Sequence, residues 1–155
     1  MVKHQIDQIE AIARHEEAIS GLYAACAASF SEHEDFWRTL AEEETEHASW
    51  VRKLRKLIEL GKSKVNRDRF KIKPIETSIK YIEGYTKQAQ RNELTLLSAL
   101  SIASDIEHAL IEKKFLEVYD SDDEHVKKTL TALFKATDAH RKRVDEFLNK
   151  VRQAG

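Results

Sequence analysis

Glu44-Thr45-Glu46-His47 sets a carboxylate and an imidazole three residues apart, spacing that places both on one face of a helix. The surrounding stripe is Trp37, Leu40, Glu44, His47, Val51, Leu54 and Ile58, in steps of 3, 4, 3, 4, 3 and 4. That is the inward face of a bundle helix, so Glu44 and His47 fall among core positions. Carboxylates are rarely buried unless they are paired or bind a metal. A Glu-x-x-His pair joined by single Glu residues from other helices is an arrangement by which four-helix bundles hold metal ions. The chemistry therefore turns on whether the rest of the chain supplies further ligands.

It does so in three other stripes. The first runs Ile6, Ile9, Ala13, Glu16, Ser20, Tyr23, Ala27, Phe30, with Glu16 at its centre and Glu17 turned about 100° away. Another runs Leu96, Leu100, Ala103, Glu107, then Leu110 with Ile111, and Val118. The last runs Val126, Leu130, Leu133, Thr137, His140, Val144, Phe147, Val151. Glu16, Glu44, His47, Glu107 and His140 thus fall on the inward faces of four helices. Aligning the two halves matches Glu16 with Glu107, His47 with His140 and Glu44 with Thr137, a weak internal repeat that suits a site near a pseudo-twofold axis. Taken singly, a seam histidine reads as a hydrogen-bonded core residue, and a seam glutamate as one paired with a basic side chain. Taken together, three buried carboxylates without a seam Lys or Arg in the first two helices favour a metal. Carboxylate oxygen with imidazole nitrogen suits iron or manganese; without thiolate, zinc is less favoured.

The elements that must position these residues are long helices. The 155 residues contain 4 Gly, 1 Pro and 34% charged residues, a composition for one all-α domain rather than a sheet. Helices are expected from Val2 to Phe30, from a capping box at Ser31-Glu32-His33-Glu34 to a stop at Leu60-Gly61, from Thr95 to Tyr119, and from a second capping box at Ser121-Asp122-Asp123-Glu124 onward. The architecture expected is two antiparallel hairpins joined by a crossover over about 61–94. The crossover carries a basic stretch, Lys62 to Lys73, and a short helix from Pro74 to about Ala89. The basic stretch reads as a solvated loop.

Net charge is −1, which gives no footprint for nucleic acid. Met1 to Asp7 lacks the apolar stretch of a signal peptide and the longest uncharged run, Ala18 to Ser31, is too short to span a bilayer, so a soluble cytoplasmic protein is the default expectation. The single cysteine, Cys26, excludes a disulfide framework within the sequence and reads as a small core residue. His4, His15, His33, His108 and His125 lie off the seams and are expected at the surface. Tyr23, two turns from Glu16, is expected to serve core packing, with contact to the site as the alternative.

Four pieces of the chain resemble the ferritin-like superfamily, and within it the rubrerythrin di-iron domain. They are His15-Glu16-Glu17-Ala18 with Tyr23, Leu40-Ala41-Glu42-Glu43-Glu44-Thr45-Glu46-His47, Ala103-Ser104-Asp105-Ile106-Glu107, and Thr137-Asp138-Ala139-His140. The resemblance covers roughly Gln5 to Val151. It implies a ferritin-like four-helix bundle with two irons per chain. Glu16 and His47 would hold one iron, Glu107 and His140 the other, and Glu44 would bridge them. It implies Fe(II) oxidation by oxygen or peroxide, and association into dimers. The sequence departs from the family in three places. Thr137 stands where a second bridging Glu is expected, Leu110 is nearest the family's extra Glu, and one cysteine cannot form a rubredoxin-like four-cysteine centre. A peroxide reductase would then need an external electron donor. The alternative is a non-catalytic iron-handling protein with a mononuclear or empty site.

Overall fold

In a computed structural model the described residues are 2–61, 64–65, 72–109, 119–120 and 123–154. Among them are five α-helices: α1 (Val2–Ser29), α2 (Glu34–Glu59), α3 (Ile72–Gln90), α4 (Leu96–Ala109) and α5 (Glu124–Ala154). The fold is all-α. α1 and α2 are the first two expected helices, α3 is the crossover helix, and α4 and α5 contain the third and fourth stripes. The side chains of His4, Ile6, Ile58 and His125 lie outside the described residues. So do Leu110, Ile111, Val118, Ser121, Asp122 and most of the basic stretch.

α1 turns into α2 through a single 3₁₀ turn, Ser31–His33. The two helices run antiparallel: Ser20 meets Ala41 and Thr45, while Glu10 meets Arg52 and Arg55 at the other end. The expected capping box at this turn is not formed as drawn. Glu34 begins the α-helix, and its carboxylate reaches forward to Arg38, one turn on. Gly61 ends the α2 hairpin arm at φ 72, a left-handed conformation that glycine adopts without a Cβ clash.

α3 is longer than the short helix expected and starts two residues before Pro74, which still sits in the first turn, where a missing N–H costs nothing. It runs alongside α1 in the same direction, since His15 pairs with Ser78 and Ser29 with Asn92. The crossover therefore travels the length of the first hairpin. It stops at Asn92 (φ 57), with the Glu93 amide donating to the Gln88 carbonyl and the Asn92 amide to the Ala89 carbonyl. The Thr95 hydroxyl then caps α4 by accepting from the Ser98 amide.

Two expectations need correction here. The third helix does not extend to Tyr119, because Tyr119–Asp120 (β2) pairs antiparallel with Lys64–Val65 (β1), in the register Lys64–Asp120 and Val65–Tyr119. Valine and tyrosine both favour extended backbone. At α5 the cap is Asp123, whose carboxylate accepts from the Val126 amide. A cap two residues earlier would displace that bond from the third helical position.

Burial follows the stripes: Trp37, Leu40, Val51 and Leu54 of α2 and Val126, Leu133 and Val144 of α5 are buried. α1 is buried more fully than one stripe predicts. Gln8, Ile12, His15, Ile19, Leu22 and Cys26 form a second stripe stepping by 4, 3, 4, 3 and 4. α3 covers that face with Ile75, Ile82 and Ala89. The core divides into two apolar clusters. One gathers around Tyr23, Trp37, Leu100 and Leu148, the other around Ile9, Ile12, Leu54, Ile75 and Leu133. On α1, α2 and α5 the seam Glu and His residues fall between the two in sequence, so the polar groups form a layer across the bundle.

Candidate metal centre

All five seam residues meet in that layer. Glu16, Glu44, His47, Glu107 and His140 have exposures of 1%, 2%, 3%, 6% and 1%. Glu16, Glu44 and His47 bring one ligand atom each within 4.8 Å of one another, and so do Glu44, Glu107 and His140. Glu44 belongs to both groups. The two imidazole ring centres lie 5.0 Å apart, with the ring planes tilted by 42°. His47 Nδ1 lies 3.6 Å from Glu44 and 3.9 Å from Glu16. His140 Nδ1 lies 2.9 Å from Glu44 and 3.6 Å from Glu107.

The helices explain this convergence. Each residue sits at a core position of a 3/4 stripe, so packing the apolar positions on either side forces the polar ones inward. Three carboxylates are thereby buried, and among the described residues no lysine or arginine is buried with them. Burial raises the Glu44 carboxyl to about 7, with the Glu107 charge adding to the rise. Burial alone would lower the His140 imidazolium pKa. Hydrogen bonding and charge from Glu107 and Glu44 outweigh it and lift His140 to about 10. Protons thus supply the positive charge that the layer demands when no other cation is present. The donor set, buried carboxylate oxygen and imidazole nitrogen, fits one or two divalent cations such as iron or manganese. Each of the two groups could hold a metal ion.

Several neighbours complete the layer. The Tyr23 hydroxyl donates to Glu107 Oε1 at 2.8 Å while its ring packs 5.7 Å from Trp37, so Tyr23 serves both the core and the site. Burial, then the Glu107 charge, pushes its phenol well above the ordinary range. Thr137, 5% exposed, lies one turn before His140 on α5. Its hydroxyl donates to the Leu133 carbonyl at 2.9 Å, as a helical threonine does when no stronger acceptor claims it.

The off-seam histidines divide. His33 is half-buried against Phe147, with ring centres 5.0 Å apart, and His108 is exposed on Asp145. His15 corrects the expectation of a surface residue. It is buried under α3, with Nε2 2.9 Å from Ser78 Oγ, and burial lowers it to about 4. The second α1 stripe was the signal for it. Cys26 is a core residue, as expected, its thiol pushed up to about 12 by burial.

Glu43 carried no such signal, since it lies one residue off the α2 seam. Its Oε2 lies 2.5 Å from His140 Nε2 and is also held by Arg143. Burial works against its ionised form, but Arg143 and His140 hold the carboxyl below its ordinary value.

Among the described residues no helix is long and apolar enough to cross a membrane. Comparison with family models, curated proteins and solved structures finds no match for the chain.

Proposed function

We propose that this chain is a rubrerythrin-like iron protein of ferritin-like topology. In this reading it holds two irons in the buried layer and oxidises Fe(II) with oxygen or peroxide. The observation that carries the reading is Glu44, which belongs to both of two buried Glu/His groups. Glu16, Glu44 and Glu107 neutralise cationic charge, and the Nδ1 atoms of His47 and His140 complete the two sets. Tyr23 orients Glu107 through its hydrogen bond. The apolar clusters on either side keep bulk water from the layer. Bound iron supplies the electrons for the oxidant. With Cys26 the single cysteine of the sequence, re-reduction falls to an external electron donor. A cytoplasmic location and a homodimer accompany this reading.

A second reading is favoured by Thr137. Its hydroxyl is committed to Leu133, so the position that would pair with Glu44 as a second bridge offers no carboxylate. In that case the layer holds a single ion, and the protein handles metal without redox turnover.

Anaerobic titration of metal-free protein with Fe(II), followed by air or peroxide, separates the two. Two irons per chain and a charge-transfer band of oxidised iron support the oxidase. One iron, with no band and no peroxide consumed in proportion to Fe(II), supports the binder. Failure to take up iron or manganese overturns both.

A further inference from the structure

A chain of packed rings leads out of the buried layer. The Tyr23 hydroxyl donates to Glu107 Oε1 at 2.8 Å, so the phenol touches the ligand set directly. Its ring centre lies 5.7 Å from that of Trp37, and Trp37 lies 5.2 Å from Phe36. Phe36 lies 4.6 Å from Phe147 of α5, and both phenylalanines are half-buried. Tyr23 and Trp37 are wholly buried. We infer that Tyr23 and Trp37 form a one-electron relay between the layer and the protein surface. This rests on the metal reading above.

The two rings suit different parts of that task. Tyrosine and tryptophan give up a single electron readily, and phenylalanine does not. Tyr23 can lose an electron together with its proton, because the proton has somewhere to go. It passes along the hydrogen bond to Glu107 and leaves a neutral tyrosyl radical. Trp37 has no such outlet. Its Nε1–H is buried without a hydrogen-bond partner among the described residues, so an oxidised indole keeps its proton and its positive charge. That charge is costly in the apolar cluster around it. The electron vacancy therefore rests on Tyr23 and only passes through Trp37. Phe36 and Phe147 are not oxidised; they fill the space between Trp37 and the surface with packed ring contacts.

The electron count gives the relay its use. Reduction of hydrogen peroxide to two waters takes two electrons and two protons. Thr137 leaves the layer short of a bridging carboxylate, and a single iron brings only one electron. Tyr23 supplies the second and gives its proton to Glu107. An electron from the external one-electron donor then returns through Trp37, the proton returns from Glu107, and the phenol is restored. With two irons present, the same relay carries the electrons that re-reduce them. Trp50, half-buried and 5.9 Å from His47, is the rival route.

Flash photolysis of the metal-free chain tests the relay without iron. A ruthenium polypyridyl photo-oxidant is attached at Lys150→Cys, which lines the same surface groove as Phe36 and Phe147. Cys26 is buried, so the label goes to the introduced thiol. A neutral tyrosyl radical should follow the flash, read by its visible absorption and by electron paramagnetic resonance. Tyr23→Phe, which keeps the ring, should remove that signal. Trp37→Phe should slow its appearance several-fold, and Trp50→Phe should leave its rate unchanged. A signal that survives in Tyr23→Phe overturns the relay, and so does one slowed by Trp50→Phe but not by Trp37→Phe. Tyr23→Phe decides alone if Trp37→Phe does not fold. Failure of wild type to take up Fe(II) is read separately, in the titration above, and overturns the metal reading and the relay's use with it.

Discussion

Glu44 is the residue on which both ligand groups depend, so its loss cannot be local. Glu44→Ala is expected to abolish metal uptake at both groups and any Fe(II) oxidation with it, read as metal per chain after gel filtration; full occupancy in the variant refutes the ligand set. Tyr23→Phe is a milder test. It leaves the ring packed on Trp37 but removes the donor to Glu107 Oε1. An acceptor stripped of its partner in a buried site costs about 1–3 kcal/mol, which a urea midpoint of the metal-free chain should register. Titration of the metal-free chain gives a third test. Glu44 is raised from 4.5 to about 7, so its contribution is complete below pH 4.5 and is lost as pH rises through 7. His140 is raised from 6.5 to about 10, so its contribution is complete below pH 6.5 and is lost as pH rises through 10. His15 is lowered from 6.5 to about 4, so its contribution is complete above pH 6.5 and is lost as pH falls through 4. Between pH 4.5 and 6.5 Glu44 and His15 oppose each other. Above that window both remaining slopes are downward. Stability in chelator should therefore be nearly level from pH 5 to 6.5 and fall from pH 7 to 10, and a midpoint that climbs between pH 7 and 9 contradicts the assignment.

At the scale of elements, α1 is the helix around which the others are arranged, because α2 covers one stripe and α3 the other. Among the described residues α3 packs chiefly on α1, so it adds stability without supplying a ligand. Ile82→Ala, at 2% exposure, should lower unfolding free energy by about 2–5 kcal/mol while metal stoichiometry stays unchanged. Loss of metal in that variant would place α3 in the site's support. The same elements show why the sequence was legible to the degree it was. A seam such as Trp37–Leu40–Glu44–His47 records burial as period, and all five layer residues were readable from it. Period records one face at a time, however, and the α1 stripe through His15 was masked by a stronger neighbouring one. Glu43 illegibly joins α2 to α5, since its contact depends on the relative rotation of two helices far apart in the chain. The pairing of Val65 with Tyr119 is two residues long, too short to leave alternation in the sequence.

For the whole molecule, the polar layer makes folding and metal binding one equilibrium. Two apolar clusters stand on either side of buried carboxylates that repel one another unless a proton or a cation lies among them. Protons fill that role at low pH, and a metal must displace them, because its ligands bind it only when deprotonated. The stabilisation by metal should therefore grow as pH rises, over the same range in which the metal-free chain weakens. A ligand at about a hundredfold excess over its dissociation constant adds about 2.7 kcal/mol per site. In a domain of this size that corresponds to a rise of about 5–10 °C in melting temperature per site. Thermal melts of chelated and cobalt-loaded protein at pH 5.5 and 7.5 measure the effect directly. The gap between loaded and chelated curves should be wider at pH 7.5, and Glu44→Ala should close it at both. A gap that is equal at the two pH values would mean the metal sits on exposed carboxylates that are already ionised. A gap that widens but survives Glu44→Ala would place the ion elsewhere in the bundle.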